Sequence, residues 1–176
     1  WVGILTGAKT DKGYIFCAGA DLKAIAVDPA GMQTARGGFA GFVTRERNTP
    51  IIAAVDGPAL AGGTEIVLAA DLVVASRTAV FGIPEVKRNL VAAAGGLFRL
   101  PRKIPRNVAM ELALTGRLDF PAERAYDFGM VNRLCDEGQA LATALELAAA
   151  ITENAPLAVA ESRKIMIEAT DQPDDV

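Results

Sequence analysis

Apolar residues in this chain gather in short runs, each closed by glycine, proline or a polar turn. Val2 to Leu5 is such a run, ended by Thr6-Gly7, and predicts a strand. Tyr14-Ile15-Phe16-Cys17 predicts a second short strand ahead of the small-residue turn Ala18-Gly19-Ala20. Asp21 to Ala26 reads as a helix, with Asp21 suited to the positive end of the helix dipole. Asp28 to Gly38 is loop-like, and Phe39 to Arg47 is expected to be helical, ending before Asn48-Thr49-Pro50. Ile51 to Val55 is continuously apolar between proline and glycine, the pattern of a strand buried on both faces. Gly62-Gly63 then opens a helix running to about Ala70. Leu72 to Ala75 and Ala79 to Phe81 return as strands. Strand and helix alternate, which favours a mostly parallel α/β arrangement.

After Pro84 the pattern becomes helical. Gly95-Gly96 opens one stretch. Pro105 to Leu114 and Pro121 to Phe128 each place proline at the start and glycine, Gly116 or Gly129, just past the end. Val131 to Leu134 is a brief strand, followed by amphipathic helices from Gln139 to Glu153 and from Pro156 to Ala169. These readings divide the chain into a core over residues 1–120 and an incomplete helical region over 121–176. The chain opens at Trp1 in the first predicted strand and closes on the acidic stretch Asp171 to Asp175. A piece of a longer protein, truncated at both ends, is the expectation.

Composition narrows the chemistry. The chain has 176 residues, 51% of them hydrophobic, which suits a globular protein with a sizeable core. A net charge of −3 gives no reason to expect nucleic acid or a membrane as partner. The basic cluster from Arg99 to Arg106, like Lys87-Arg88, reads as a solvated helix face. Two distant cysteines, Cys17 and Cys135, suggest reduced thiols in a cytoplasmic protein, with no metal site. No apolar run approaches a membrane span. Most informative is the absence of histidine, which leaves proton chemistry to carboxylates, lysine, tyrosine or water.

Two glutamates stand out, twenty residues apart (85 − 65 = 20). Glu65 follows the double glycine in the first turn of a helix whose next residues, Ile66 to Ala69, are all apolar. A carboxylate buried there is costly unless it is paired or its pKa is raised. Glu85 ends Phe81-Gly82-Ile83-Pro84-Glu85, at the edge of a predicted strand. Two such carboxylates can split acid and base roles. Gly62-Gly63 and Ala18-Gly19-Ala20 leave backbone N–H groups accessible, as an oxyanion site needs. The plainer readings stay open: glycines for tight helix-on-strand packing, Glu65 held by its own helix dipole, Glu85 an exposed turn residue.

Taken in order and spacing, Phe16 to Leu22, Asp56 to Ser76, Phe81 to Glu85, Leu114-Thr115-Gly116 and Ala125 to Val131 resemble the crotonase (enoyl-CoA hydratase/isomerase) superfamily. The resemblance covers nearly the whole chain. It implies an α/β crotonase-type spiral of ββα units with C-terminal helices, assembled as a homotrimer or hexamer. It implies an acyl-CoA thioester substrate whose carbonyl is held by the N–H groups of Ala20 and Gly62. CoA being part of that substrate, no separate cofactor is implied. The hydratase branch carries glutamate at both positions matched by Glu65, usually the base, and Glu85, usually the proton donor to Cα. Ala18, Asp21 and Lys23 match positions around the bound thioester, Lys23 near the adenine and phosphates. Ile83 stands where many hydratases have glutamine, and Ala24 to Gly38 matches the segment that shapes the acyl pocket.

The leading expectation is therefore an enoyl-CoA hydratase. A Δ3,Δ2-enoyl-CoA isomerase would use the same oxyanion hole. A non-catalytic acyl-CoA-binding protein would have no need of a costly buried carboxylate. A serine peptidase of the same spiral fold is excluded, because its triad needs a histidine.

Overall fold

A computed structural model describes residues 1–169, so the acidic stretch Asp171 to Asp175 lies outside the described residues. Four parallel strands form the main sheet: β1 (Gly3–Thr6), β6 (Ile51–Val55), β8 (Leu72–Ser76) and β11 (Arg133–Cys135), in the order β1-β6-β8-β11. Their intervening neighbours are short. β2 (Lys9–Thr10) pairs with β3 (Gly13–Tyr14), and β4 (Gln33–Thr34) with β5 (Gly38–Phe39), each antiparallel. A three-stranded sheet has the order β10-β9-β7, from β7 (Ala59–Leu60), β9 (Val80–Gly82) and β10 (Phe120–Pro121).

The helices are α1 (Leu22–Val27), α2 (Gly62–Ala69), α3 (Gly96–Lys103), α4 (Arg106–Thr115), α5 (Ala122–Asp127), α6 (Ala140–Thr152) and α7 (Pro156–Ala169). β6, β7 and α2 make one ββα turn, and β8 with β9 begins the next. β6 pairs with β8 and β7 with β9, both parallel, so successive turns stack as a spiral.

The apolar run of β6 does what its sequence predicts. Ala53 and Val55 join the core cluster that holds Ile66, Val67 and Leu68 of α2. Ile52 and Ala54 join a second cluster with Ala140 and Ala144 of α6. Alternate residues thus meet helices on opposite faces of the sheet. Full burial of each large aliphatic side chain stabilises the fold by about 1.5–3 kcal/mol. Residues beyond 120 contribute to both sheets through β10 and β11 and cover the sheet with α6.

Polar groups tie the ends of these elements. Asp56 accepts from the N–H groups of Gly138 (2.9 Å) and Ala140 (3.2 Å), capping the start of α6. Asp71 accepts from the Ile51 N–H (2.8 Å) and from Arg163 Nε (2.9 Å), which fastens α7 to the head of β6.

One expected element is corrected. Phe39 to Arg47 is not a helix: β5 ends at Phe39 and turns continue to Thr44. Gly38, Ala40 and Gly41 all hold positive φ (63°, 54° and 67°), which a right-handed helix excludes. The strand expected over Tyr14 to Cys17 is also shorter. Only Tyr14 lies in β3, and Cys17 makes a single parallel bridge to Ala59.

Candidate active site

The two glycine-bearing segments meet. Cys17 accepts from the Leu60 N–H at 2.9 Å. A side chain at Gly63 would strike the Cys17 carbonyl at 2.1 Å, and one at Gly19 would meet Ala61 Cβ at 2.8 Å and the Gly62 nitrogen at 3.2 Å. The packing reading of the second glycine is therefore correct, and the same close packing sets Gly19 against Gly62. Gly62 is glycine for another reason: a Cβ there would lie 2.5 Å from the ring of Phe39.

α2 is buried from Gly62 to Leu68. Its first i→i−4 bond runs from the Glu65 N–H to the Ala61 carbonyl (3.2 Å), so Gly62 precedes the intrahelical ladder. The residue before it, Ala61, holds φ 52° and ψ −126° without being glycine. Such a backbone costs on the order of 1–3 kcal/mol and persists only where its surroundings impose it. Here the Ala61 N–H donates to the Gly82 carbonyl at 2.9 Å. Thr64, 1% exposed, adds to the clamp. Its hydroxyl oxygen lies 2.6 Å from the Ala59 carbonyl and 2.9 Å from that of Gly82, and accepts from the Gly82 N–H at 3.1 Å. The start of α2 is thereby locked to β9, the strand that leads to Glu85.

Glu65 is 4% exposed. One carboxylate oxygen accepts from the Gly96 N–H at 2.9 Å, at the start of α3. Burial holds its carboxyl above the usual range, against the opposing effect of the Gly96 and Ala94 backbone and of Arg99. Glu85 opens a 3-10 turn, Glu85–Arg88, after Pro84, and is half-buried. Its carboxyl is also pushed up by burial, and the Glu65 carboxylate pushes it further. Its Oε2 has no hydrogen-bond partner among the described residues. Glu85 thus senses Glu65, and the surroundings of the two differ: one is met by donors and a cation, the other faces a like charge. Ile83, 2% exposed, approaches the same point beside Gly96 as the Glu65 side chain and keeps this side of the site apolar.

The remaining expected residues are at the surface. Asp21 caps α1, its Oδ1 accepting from the Lys23 N–H at 2.8 Å. Ala18, Asp21 and Lys23 are exposed.

Three contributors escaped the sequence reading: Thr64, Phe39 and the Gly96 N–H. Gly95-Gly96 repeats the signature of Gly62-Gly63, and that repetition was the available signal. Arg99 is a correction. It is not on a solvated helix face, because its guanidinium donates to the carbonyls of Ala94 (3.0 Å) and Val43 (2.6 Å).

Known proteins share this arrangement of elements. An enoyl-CoA hydratase from Mycobacterium marinum superposes with a TM-score of 0.91 at 54% identity, over 99% of this chain and 66% of its own. A mevalonyl-coenzyme A hydratase of Aspergillus fumigatus is 45% identical across 89% of this chain and 57% of its own length. An enoyl-CoA hydratase of Mycobacterium tuberculosis is 46% identical across 89% of this chain and 59% of its own. The chain thus spans somewhat less than two thirds of the relatives it matches. The fold is the crotonase-type spiral. Since the model of the enoyl-CoA hydratase/isomerase family matches from residue 2 to residue 175, the chain belongs to that family.

Proposed function

We propose that this chain carries the catalytic core of an enoyl-CoA hydratase, which adds water across the double bond of a 2-trans-enoyl-CoA thioester. The observation that carries the reading is the unequal pair: Glu65 with donors and a cation, Glu85 with a bare Oε2 beside a like charge. Surroundings that differ in this way suit a division of labour between two carboxyl groups. Glu65 takes the part of the base and Glu85 that of the acid.

The thioester oxygen accepts hydrogen bonds from the Ala20 and Gly62 N–H groups. As water attacks Cβ, charge moves onto that oxygen and an enolate forms. Each such donor is worth roughly 10²–10³ in rate. Glu65 takes one proton from the attacking water, whose hydroxyl remains on Cβ. Glu85 gives its proton to Cα. The proton on Glu65 then returns to Glu85 through solvent. Run backwards, the same steps dehydrate a 3-hydroxyacyl ester. Ala18, Asp21 and Lys23, all exposed, are the residues assigned to contact the CoA moiety.

The named relatives act on CoA esters, in keeping with an acyl-CoA thioester as substrate. Exposed Leu141 and Leu145 on α6 and Leu157, Ile165 and Ile167 on α7 support assembly of the full-length protein as a homotrimer or hexamer. The free thiols Cys17 and Cys135 fit a cytoplasmic protein. No helix among the described residues is long and apolar enough to cross a membrane.

Crotonyl-CoA in D₂O tests the reaction. The expected product is 3-hydroxybutyryl-CoA with one deuterium at Cα, formed as the conjugated thioester absorbance falls. Fast conversion of a 3-enoyl ester, with no hydroxyacyl product from any 2-enoyl ester, would overturn hydration in favour of isomerisation and leave the oxyanion site standing.

A further inference from the structure

Glu65 owes its bond at Gly96 to the turn that opens α3. That turn, Ala94-Gly95-Gly96, reverses into α3 with Gly95 at φ 112°. Arg99 folds back over it. One guanidinium nitrogen donates to the Ala94 carbonyl at 3.0 Å, and another to the Val43 carbonyl, 56 residues away in sequence, at 2.6 Å. A side chain at Gly95 would meet the first of these nitrogens at 1.9 Å, so the guanidinium lies directly against the turn. The Phe98 ring packs 4.8 Å from the guanidinium carbon. Val43, 3% exposed, is anchored in the core and closes the hairpin segment of β4 and β5.

We propose that Arg99 is the positioning residue of Glu65, its guanidinium bracing the Ala94–Gly96 turn against Val43 and placing a positive charge behind the turn that holds the Glu65 carboxylate. Three facts converge on this role. The guanidinium is partly desolvated, which lowers its own pKa, and the Glu65 charge works against that lowering. Arg99 is a cation that favours ionised Glu65, while the Glu65 charge disfavours ionised Glu85. The two carbonyls lie on different segments, so a planar fork can hold both where a single ammonium holds one. The consequence is a mechanical link: displacement of the segment around Val43 moves the turn that holds the catalytic base.

The inference rests on Glu65 as the base, so its test separates the two ideas. In the full-length protein, Arg99→Met and Arg99→Lys are compared with wild type for the pH profile of kcat/KM. The Glu65 carboxyl titration is followed in parallel by NMR with isotope-labelled glutamate, assigned through Glu65→Gln. Arg99→Met removes a charge that favours ionised Glu65, so the Glu65 titration and the acid limb of the profile move to higher pH, with kcat down by about 10²-fold. Arg99→Lys keeps the charge and loses the fork: the acid limb stays near wild type while kcat falls on the order of ten-fold.

Wild-type kcat and an unmoved Glu65 titration in both variants would overturn the proposal. Should Arg99→Met fail to fold, Arg99→Lys decides. Lowered kcat with the acid limb in place upholds the brace, and wild-type kcat refutes it. If wild type hydrates no enoyl ester yet the titration moves in Arg99→Met, the hydratase reading fails and the role of Arg99 stands. If wild type is active and the titration does not move, the reverse holds.

Discussion

Glu65 sits between the starts of two helices, whereas Glu85 sits on a single 3-10 turn followed by the exposed Val86, Lys87 and Arg88. Around Glu65 the chain has built supports. The Thr64 clamp fixes its helix, the Gly96 N–H takes one oxygen, and Arg99 braces the turn behind. Around Glu85 it has built almost none, and one carboxylate oxygen is left without a partner among the described residues. The same side chain therefore meets two different environments, one deeply buried and supported, the other half-buried and largely unsupported. A base has to be fixed and ionised before substrate arrives. An acid has to keep its proton until the substrate supplies the carbon that takes it. Support on one side and its lack on the other fit those requirements.

The largest effect is expected from removing either group. Glu65→Gln and Glu85→Gln should each lower kcat by roughly 10²–10⁴-fold while CoA-ester affinity changes little. Steady-state kinetics with direct ligand binding measures both. Near-normal turnover in either variant would break the comparison at that residue.

A smaller effect tests the backbone between them. Gly62→Pro removes the N–H and should cost roughly 10²–10³-fold, provided circular dichroism shows it folded. Gly62→Ala keeps the donor, and from sequence alone it is the natural mild control. The structure changes that expectation, because the new methyl would meet the Phe39 ring at 2.5 Å. The ring edge must give way, so alanine should also impair turnover, and Gly62→Ala combined with Phe39→Leu should recover part of it. If the double variant is no better than the single one, the ring is not the obstacle.

The sequence made legible what local pattern controls. Ile51 to Val55 showed both-face burial by its lack of alternation, and the caps of α4 and α5 were visible as proline and glycine. The glutamate pair was visible because histidine is missing and each carboxylate follows a turn. What stayed hidden depends on contacts between distant segments. Nothing near Arg99 in sequence announces Val43, 56 positions earlier, so from sequence alone the basic cluster looks like a solvated face. The same blindness made Phe39 to Arg47 a helix. Its apolar spacing permits one, but it is Phe39 against Gly62 and Val43 in the core that set the backbone, with positive φ at Ala40 and Gly41. Gly62-Gly63 was legible as special but ambiguous as to cause, since one glycine answers to an aromatic ring and the other to a carbonyl.

The smallest effect expected is on stability, and it addresses the contrast directly. The Glu85 carboxyl is raised in the folded state, by burial first and by Glu65 second. Folded protein therefore binds more protons than unfolded chain between the ordinary glutamate range and the raised folded value. Stability falls as pH rises through that window, then stays at the lower level. Glu85→Gln removes the titrating group, so the variant should gain on wild type as pH rises from acid to neutral, and the gain should vanish in acid. Urea midpoints at several pH values for both proteins measure this. Glu65→Gln should show a weaker trend of the same sign, because the Gly96 and Ala94 backbone and Arg99 already favour the charged form. Equal trends at the two positions would mean that the supports around Glu65 do not lower the cost of its charge, and the distinction between a held base and an unheld acid would lose its thermodynamic ground.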